Sequence, residues 1–296
     1  MNVYVKIESL VYYSINTFYE IVMKLTPETI TAFQSTIWDF YHTHKRAFIW
    51  RENYNPYHIV VSEIMLQQTQ TYRVEPKFKQ FIEMLPTFEA LAQASLHAVL
   101  SLWQGLGYNR RGKYLHAIAQ KVMAEYGGIL PNDPAILVTF PGLGKATAAS
   151  ICAFAFNNPV IFIETNIRAV YLHTFFYAQT DISDGQLMPL IEQTVDTANA
   201  RDWYYALMDY GVYLKQHMPN PNRKSKHYAV QSKFEGSDRQ IRGSVMRILT
   251  HSHIVSMTEL LNLLMVPEAR SIPIIAKMHQ EGLIQVLHGM VSIKEQ

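Results

Sequence analysis

Phe140-Pro-Gly-Leu-Gly-Lys-Ala-Thr-Ala148 is the stretch on which the reading of this chain turns. Gly142 and Gly144, one residue apart, let the backbone turn tightly at positive φ and remove side chains that would block a close approach. Helical patterns flank the turn at 133–138 and 145–157, and the second begins at Lys145. The uncapped N–H groups of a helix's first turn and its dipole suit a phosphate, to which Lys145 adds a point charge. A Gly-x-Gly turn between helices is also an ordinary structural turn, so its neighbours decide what it means.

Outward from the turn, most of the chain reads as helix. Thr26-Pro27-Glu28 is a start signal, with a threonine cap and a proline in the first turn. A second helix opens at Pro56-Tyr57 and is expected to run through Gln70. Others are expected at 75–84, 87–93, 96–105, 111–126, after Asn166 and over Asp202–Lys215, with no strand before residue 280. Residues 217–236, with Arg223 and Lys224, read as a basic linker laid along something acidic, or as a solvated connector. Residues 237–296 show three helices and a hairpin around His288-Gly289, the layout of a winged helix-turn-helix. Such modules bind DNA, though many serve only as protein contacts.

Composition narrows the classes. Of 296 residues, 49% are hydrophobic and 17% charged, enough for a large core and two domains. The net charge of +2 does not announce a nucleic-acid binder, so such a surface has to come from clustered basic residues. The single cysteine, Cys152, excludes an intramolecular disulfide and a four-thiolate site, and suits a reducing cytoplasm. Lys6, Glu8 and Glu20 interrupt the apolar residues 3–23, so no secretory signal or membrane span is expected. Residues 1–22 read as an extension upstream of the first helix start.

Three further motifs accompany the turn in order: Ser62-Glu-Ile-Met-Leu-Gln-Gln-Thr-Gln70, Trp103-Gln-Gly-Leu-Gly-Tyr108 with Arg110-Arg111, and Ala206-Leu-Met-Asp-Tyr-Gly211. Together they resemble the helix-hairpin-helix DNA glycosylases of the endonuclease III and MutY types, over roughly residues 28–215. The resemblance implies a mainly α, two-lobed helical fold, with lobes of approximately 55–163 and 23–54 plus 164–216, followed by the winged-helix-like α+β domain. It implies a monomer whose partner is double-stranded DNA containing a mispaired or damaged base. That DNA would be gripped at Gly142, Gly144 and Lys145, in the nucleoid or wherever DNA is.

Removing a purine from deoxyribose needs a proton delivered to the base and negative charge near the oxocarbenium-like sugar, the two-carboxylate logic of glycoside hydrolysis. Glu63 lies among Val60, Val61, Ile64, Met65 and Leu66, neighbours able to desolvate it. By resemblance it falls on the residue that protonates adenine and activates water. Glu164 follows the apolar run Val160-Ile-Phe-Ile163 and opens a helix, where an acidic side chain is favoured. By resemblance it is the second carboxylate, although the usual residue there is aspartate and the alignment from the hairpin needs no gap. A pure capping role for Glu164 stays open, and Asp209 is a rival. Gln68 and Tyr108 match family positions that enter the base stack, while Gln67 lines or supports the pocket. Tyr108 is alternatively ordinary core. Arg110, Arg111 and Lys113 suit phosphates.

Departures from the pattern shape the expected activity. Ala146 stands where endonuclease III-type enzymes carry a Schiff-base lysine, which implies a monofunctional enzyme without lyase activity. Phe156 stands where some MutY-type enzymes have a tyrosine. No cysteine follows Gly211, where the family commonly has four holding a [4Fe–4S] cluster, so no cofactor and no metal are expected. The tail differs from the domain with which MutY-type enzymes read 8-oxoguanine. The expected function is excision of adenine opposite 8-oxoguanine or guanine in base-excision repair. The alternatives are excision of thymine or uracil opposite guanine, and a DNA-binding module with weakened or lost catalysis.

Overall fold

The computed structural model describes residues 23–295, so the extension expected over residues 1–22 lies outside the described residues. Along the chain the helices are α1 (Pro27–His44), α2 (Pro56–Leu66), α3 (Thr71–Met84), α4 (Phe88–Gln93), α5 (Leu96–Leu102), α6 (Arg110–Tyr126) and α7 (Pro134–Leu137). Then come α8 (Lys145–Phe156), α9 (Thr165–Phe175), α10 (Asp184–Thr194) and α11 (Ala200–His217). The C-terminal part holds α12 (Asp238–Ser252), β1 (Ile254–Ser256), α13 (Met257–Leu264), α14 (Glu268–Gln280), β2 (Ile284–Leu287) and β3 (Met290–Ile293). Local chemistry sets the starts: Thr26, Asn55, Thr87 and Ser95 each accept a first-turn N–H through the side chain. The mainly α fold with a small C-terminal α+β part is as expected.

Contacts gather the chain into two compact units. One comprises the described residues up to Ala47, Asn132–Pro134 and Gly144–Val230. Its core is aromatic: Phe33 packs on Tyr171, Phe175 and Trp203 with ring centroids 5.3, 5.2 and 5.9 Å apart. Asp209, with a side chain 1% exposed, accepts from the Arg46 backbone N–H at 2.9 Å and from Arg46 Nε at 2.7 Å. The rival to Glu164 is thus held in an ion pair with Arg46. Helix α8 was expected to lie in the lobe spanning 55–163, yet it belongs here. Phe154 stacks on Tyr205 with centroids 4.4 Å apart, and Arg201 donates to the carbonyls of Phe154 and Ala155. The end of α8 is thereby bound to α11.

The second unit comprises Phe48–Pro131, Ala135–Leu143 and Gln231–Gln296. Its sheet has the order β1-β3-β2, antiparallel throughout, with Val255 and Val286 both opposite Val291. Strand β1 was not anticipated, because three residues give too little alternation to read. The residues expected to form a separate domain from 237 onward share their core with α5: Leu96 and Leu100 pack in one cluster with Ile241, Val245 and Leu249. Burial of apolar surface, not a linker, sets that boundary.

Two further expectations change. Helix α10 was missed although Ser183 and Gln186 form a capping box at its start. The basic stretch from 217 is not a free connector. His217 ends α11, Pro221–Lys224 form a 3-10 turn, and Ser225 pairs in parallel with Ile182. Asn222 donates to the Thr165 carbonyl at 3.0 Å, and Lys224 Nζ to those of Phe176 and Tyr177 at 3.2 and 2.7 Å. Both ends of α9 are stapled by this stretch, the cation sitting at the negative end of the helix dipole.

Candidate active site

Glu63 lies on α2, a helix whose Ile59, Val60, Val61, Ile64 and Met65 are all buried, while Glu63 is partly exposed. The helix stops at Leu66 instead of running to Gln70, and a buried guanidinium explains why. Arg111 Nη1 donates to the carbonyls of Ile64 and Met65 at 2.9 and 3.0 Å, and to that of Gln67. Its Nη2 donates to Thr69 Oγ1 at 3.0 Å and to the carbonyls of Leu106 and Gly107 at 3.3 and 3.1 Å. Carbonyls that would otherwise continue the helix turn onto the cation. Burial pushes the guanidinium pKa down to about 10.

Arg111 is therefore a clamp between two loops, not the phosphate contact expected of it. Each loop carries one non-glycine residue in the left-handed region: Gln68 at φ 54° and Tyr108 at φ 48°. Such conformations cost energy and persist where the surroundings over-determine them. Gln68 is exposed and Tyr108 is 39% exposed, which removes the ordinary-core reading of Tyr108. Gln67 is partly buried at the end of α2. Arg110 keeps a side chain 50% exposed, 3.6 Å from Glu281. Lys113 instead donates to the Glu281 carbonyl at 2.7 Å. The clamping role of Arg111 was missed because its six acceptors come from segments separated by about forty residues, and no local pattern links them.

At the hairpin, Gly142 has φ 73°, and a Cβ there would lie 2.4 Å from the Tyr114 ring. Glycine is required on both counts. Gly144 needs no such freedom: at φ −83° it is the extended residue before α8, and no side chain caps that helix. Gly142, Gly144, Lys145 and Ala146 are exposed. The turn thus keeps a helix N-terminus open to an anion, with a lysine beside it.

Glu164 caps α9. Its Oε1 accepts from the backbone N–H of Asn166 and Ile167 at 2.7 and 2.8 Å, and its Oε2 from Asn166 Nδ2 at 3.0 Å. Asn166 Oδ1 in turn accepts from Lys215 Nζ at 2.5 Å. This network depends on Gly211, where a Cβ would lie 2.3 Å from the Asn166 carbonyl oxygen. Only glycine lets α11 approach closely enough for Lys215 to reach. Burial holds the Glu164 carboxyl above the usual carboxylate range, against the pull of the two N–H groups, Lys215 and Arg168. Lys215 is likewise pushed down by burial. The capping role is present in full, and the same carboxylate is held as a desolvated group. Asn166 and Lys215 were not singled out from sequence. Lys224 is occupied at the end of α9, whereas Arg223 is exposed.

The residues present do not fit an iron–sulfur cluster. The only thiol in the chain, Cys152, is buried in α8, where burial pushes it up to about 12. The stretch after α11 is closed by the Asn222 and Lys224 bonds instead. No helix among the described residues is long and apolar enough to cross a membrane.

Residues 61–195 match the family described as HhH-GPD superfamily base excision DNA repair protein. The adenine DNA glycosylase of Mycolicibacterium smegmatis is 31% identical over 235 residues, which cover 72% of this chain and 78% of that protein. That of Buchnera aphidicola subsp. Baizongia pistaciae is 32% identical over 191 residues, 63% of this chain and 54% of that protein. Against that relative the chain spans about half the length. A thermostable thymine-DNA glycosylase superposes with a TM-score of 0.57 at 26% identity, over 66% of this chain and 91% of its own. Endonuclease III in a non-covalent DNA complex shares the fold, with a TM-score of 0.56 at 16% identity over 69% of this chain and 97% of its own. The chain belongs to the HhH-GPD superfamily of base-excision DNA repair proteins, among its MutY-type adenine DNA glycosylases.

Proposed function

We propose that this protein hydrolyses the N-glycosidic bond of adenine mispaired with 8-oxoguanine or guanine in double-stranded DNA, acting as a monomer and without lyase activity. The observation that carries this reading is the Arg111 clamp. One buried cation holds two left-handed positions, Gln68 and Tyr108, at the end of the helix that carries Glu63. A device that fixes the backbone beside two exposed residues at the end of the helix bearing an acid suits a reaction that must first lift a base from the stack.

In the proposed chemistry Glu63 gives its proton to the adenine ring, so the base departs neutral as the bond to C1′ breaks. Glu164 supplies the negative charge that stabilises the sugar cation. Water then adds to C1′ and returns a proton to the Glu63 carboxylate. Backbone N–H groups at Gly142–Lys145 hold a phosphate, and Arg110 and Arg223 add charge. Ala146 offers no amine for covalent attack, which supports hydrolysis over β-elimination.

Single-turnover excision on duplexes with A:8-oxoG, A:G, T:G and U:G pairs tests the reading. Release of adenine, abolished in Glu63→Gln and leaving no borohydride-trapped adduct, is the expected result. Release of only thymine or uracil would reassign the substrate. Tight binding with no release on any duplex would make the chain a binding module.

A further inference from the structure

Tyr108 is reached from the C-terminal part of the chain. Its phenol oxygen accepts from Arg239 Nη1 at 2.8 Å and from Gln231 Nε2. The Arg239 guanidinium lies 5.9 Å from the Tyr108 ring, and that of Arg111 lies 5.4 Å from it. Arg239 is itself fixed: its Nη2 donates to the Ser232 carbonyl at 2.6 Å and to Ser232 Oγ at 3.2 Å. It sits in α12, which shares one core with α5 through Leu96, Leu100, Ile241 and Val245. The helix that supplies this hold on the tyrosine is thus anchored in that core.

We propose that Arg239, aided by Gln231, is a positioning residue for base extrusion, and that the C-terminal module is a working part of the extrusion apparatus. The inference rests on the proposed glycosylase reading, in which Tyr108 enters the stack. An exposed tyrosine on a loop loses side-chain entropy when it is fixed in one orientation. Here the backbone is held from one side by Arg111 and the phenol tip from the other by Arg239, so that loss is met before DNA arrives. A planar guanidinium suits this task because one fork bonds the phenol while the other bonds the Ser232 carbonyl. An independent DNA-reading module would need no bond to this residue.

A double-mutant cycle on the full-length protein tests the coupling. Wild type, Arg239→Ala, Tyr108→Phe and the double variant are compared in single-turnover excision, with a melting curve for each to check folding. The mispaired duplex is set against a strand in which the target adenine is already unpaired. Each single variant is expected to lose about tenfold on the duplex, the double variant no more than the slower single, and all less than about threefold on the unpaired target. Gln231→Ala, in an exposed segment, is expected to show a smaller loss of the same pattern and stands in if Arg239→Ala melts early. Wild-type rates in Arg239→Ala, multiplicative losses in the double variant, or equal losses on both substrates would overturn the proposal. If wild type excises nothing, the glycosylase reading fails by itself. The dequenching of 2-aminopurine at the target position on binding then decides the inference: loss of that signal in Arg239→Ala supports it, and retention refutes it.

Discussion

Glu164 caps a helix and, in the proposed mechanism, carries a charge, and the two duties respond differently to substitution. Glutamine keeps an oxygen able to accept from the Asn166 and Ile167 N–H groups, so Glu164→Gln preserves the cap. In the proposed mechanism it removes the charge near the sugar, so the single-turnover rate is expected to fall about a hundredfold or more. A pure cap would leave that rate unchanged. The pH dependence adds a second check. Because burial raises the folded pKa of Glu164, its contribution to stability is complete below the ordinary carboxylate range and is lost as pH rises through the raised value. Melting temperatures of wild type are therefore expected to fall relative to Glu164→Gln across that window. The acid limb of the pH–rate profile is expected above the ordinary carboxylate range and absent in the variant.

Among the elements, the end of α2 and the hairpin show how few residues set the loops. Arg111→Met removes donors from six acceptors and leaves several of them buried. Urea titration is expected to show a loss of about 3 kcal/mol, with excision reduced further because Gln68 and Tyr108 lose their common anchor. A stability change within about 0.5 kcal/mol would mean that the loops hold themselves. Gly142→Ala places a Cβ against Tyr114 at a left-handed position, for an expected cost of about 1–2 kcal/mol before any repacking. Gly144 has neither constraint, so Gly144→Ala at that neighbouring position is expected to be mild in stability. Chemical denaturation of the two alanine variants side by side separates them.

For the whole molecule, a net charge of +2 conceals an uneven division of labour among basic residues. Arg111, Lys113, Lys215 and Lys224 are spent on internal acceptors, whereas Lys145 and Arg223 are exposed. Lys145→Ala and Arg223→Ala are each expected to reduce the slope of log K against log salt by about one while leaving the melting temperature in place. Lys224→Ala is expected to do the reverse, lowering stability by about 1–2 kcal/mol with the slope unchanged. Fluorescence anisotropy at several salt concentrations checks all three.

Legible in the residues alone were the helical class, most helix positions, the hairpin and the motif order, because spacing, caps and glycines act between near neighbours. The places of Glu63 on α2 and of Glu164 at the start of α9 were legible for the same reason: each sits in a short, ordered run. Local pattern did not extend to what Arg111, Arg239 or Lys224 touches, to the place of α8 beside α11, or to the single core joining α5 with the C-terminal helices. Those depend on which distant segments bury surface together, and a cation's partners are settled only once the surrounding carbonyls have lost their water.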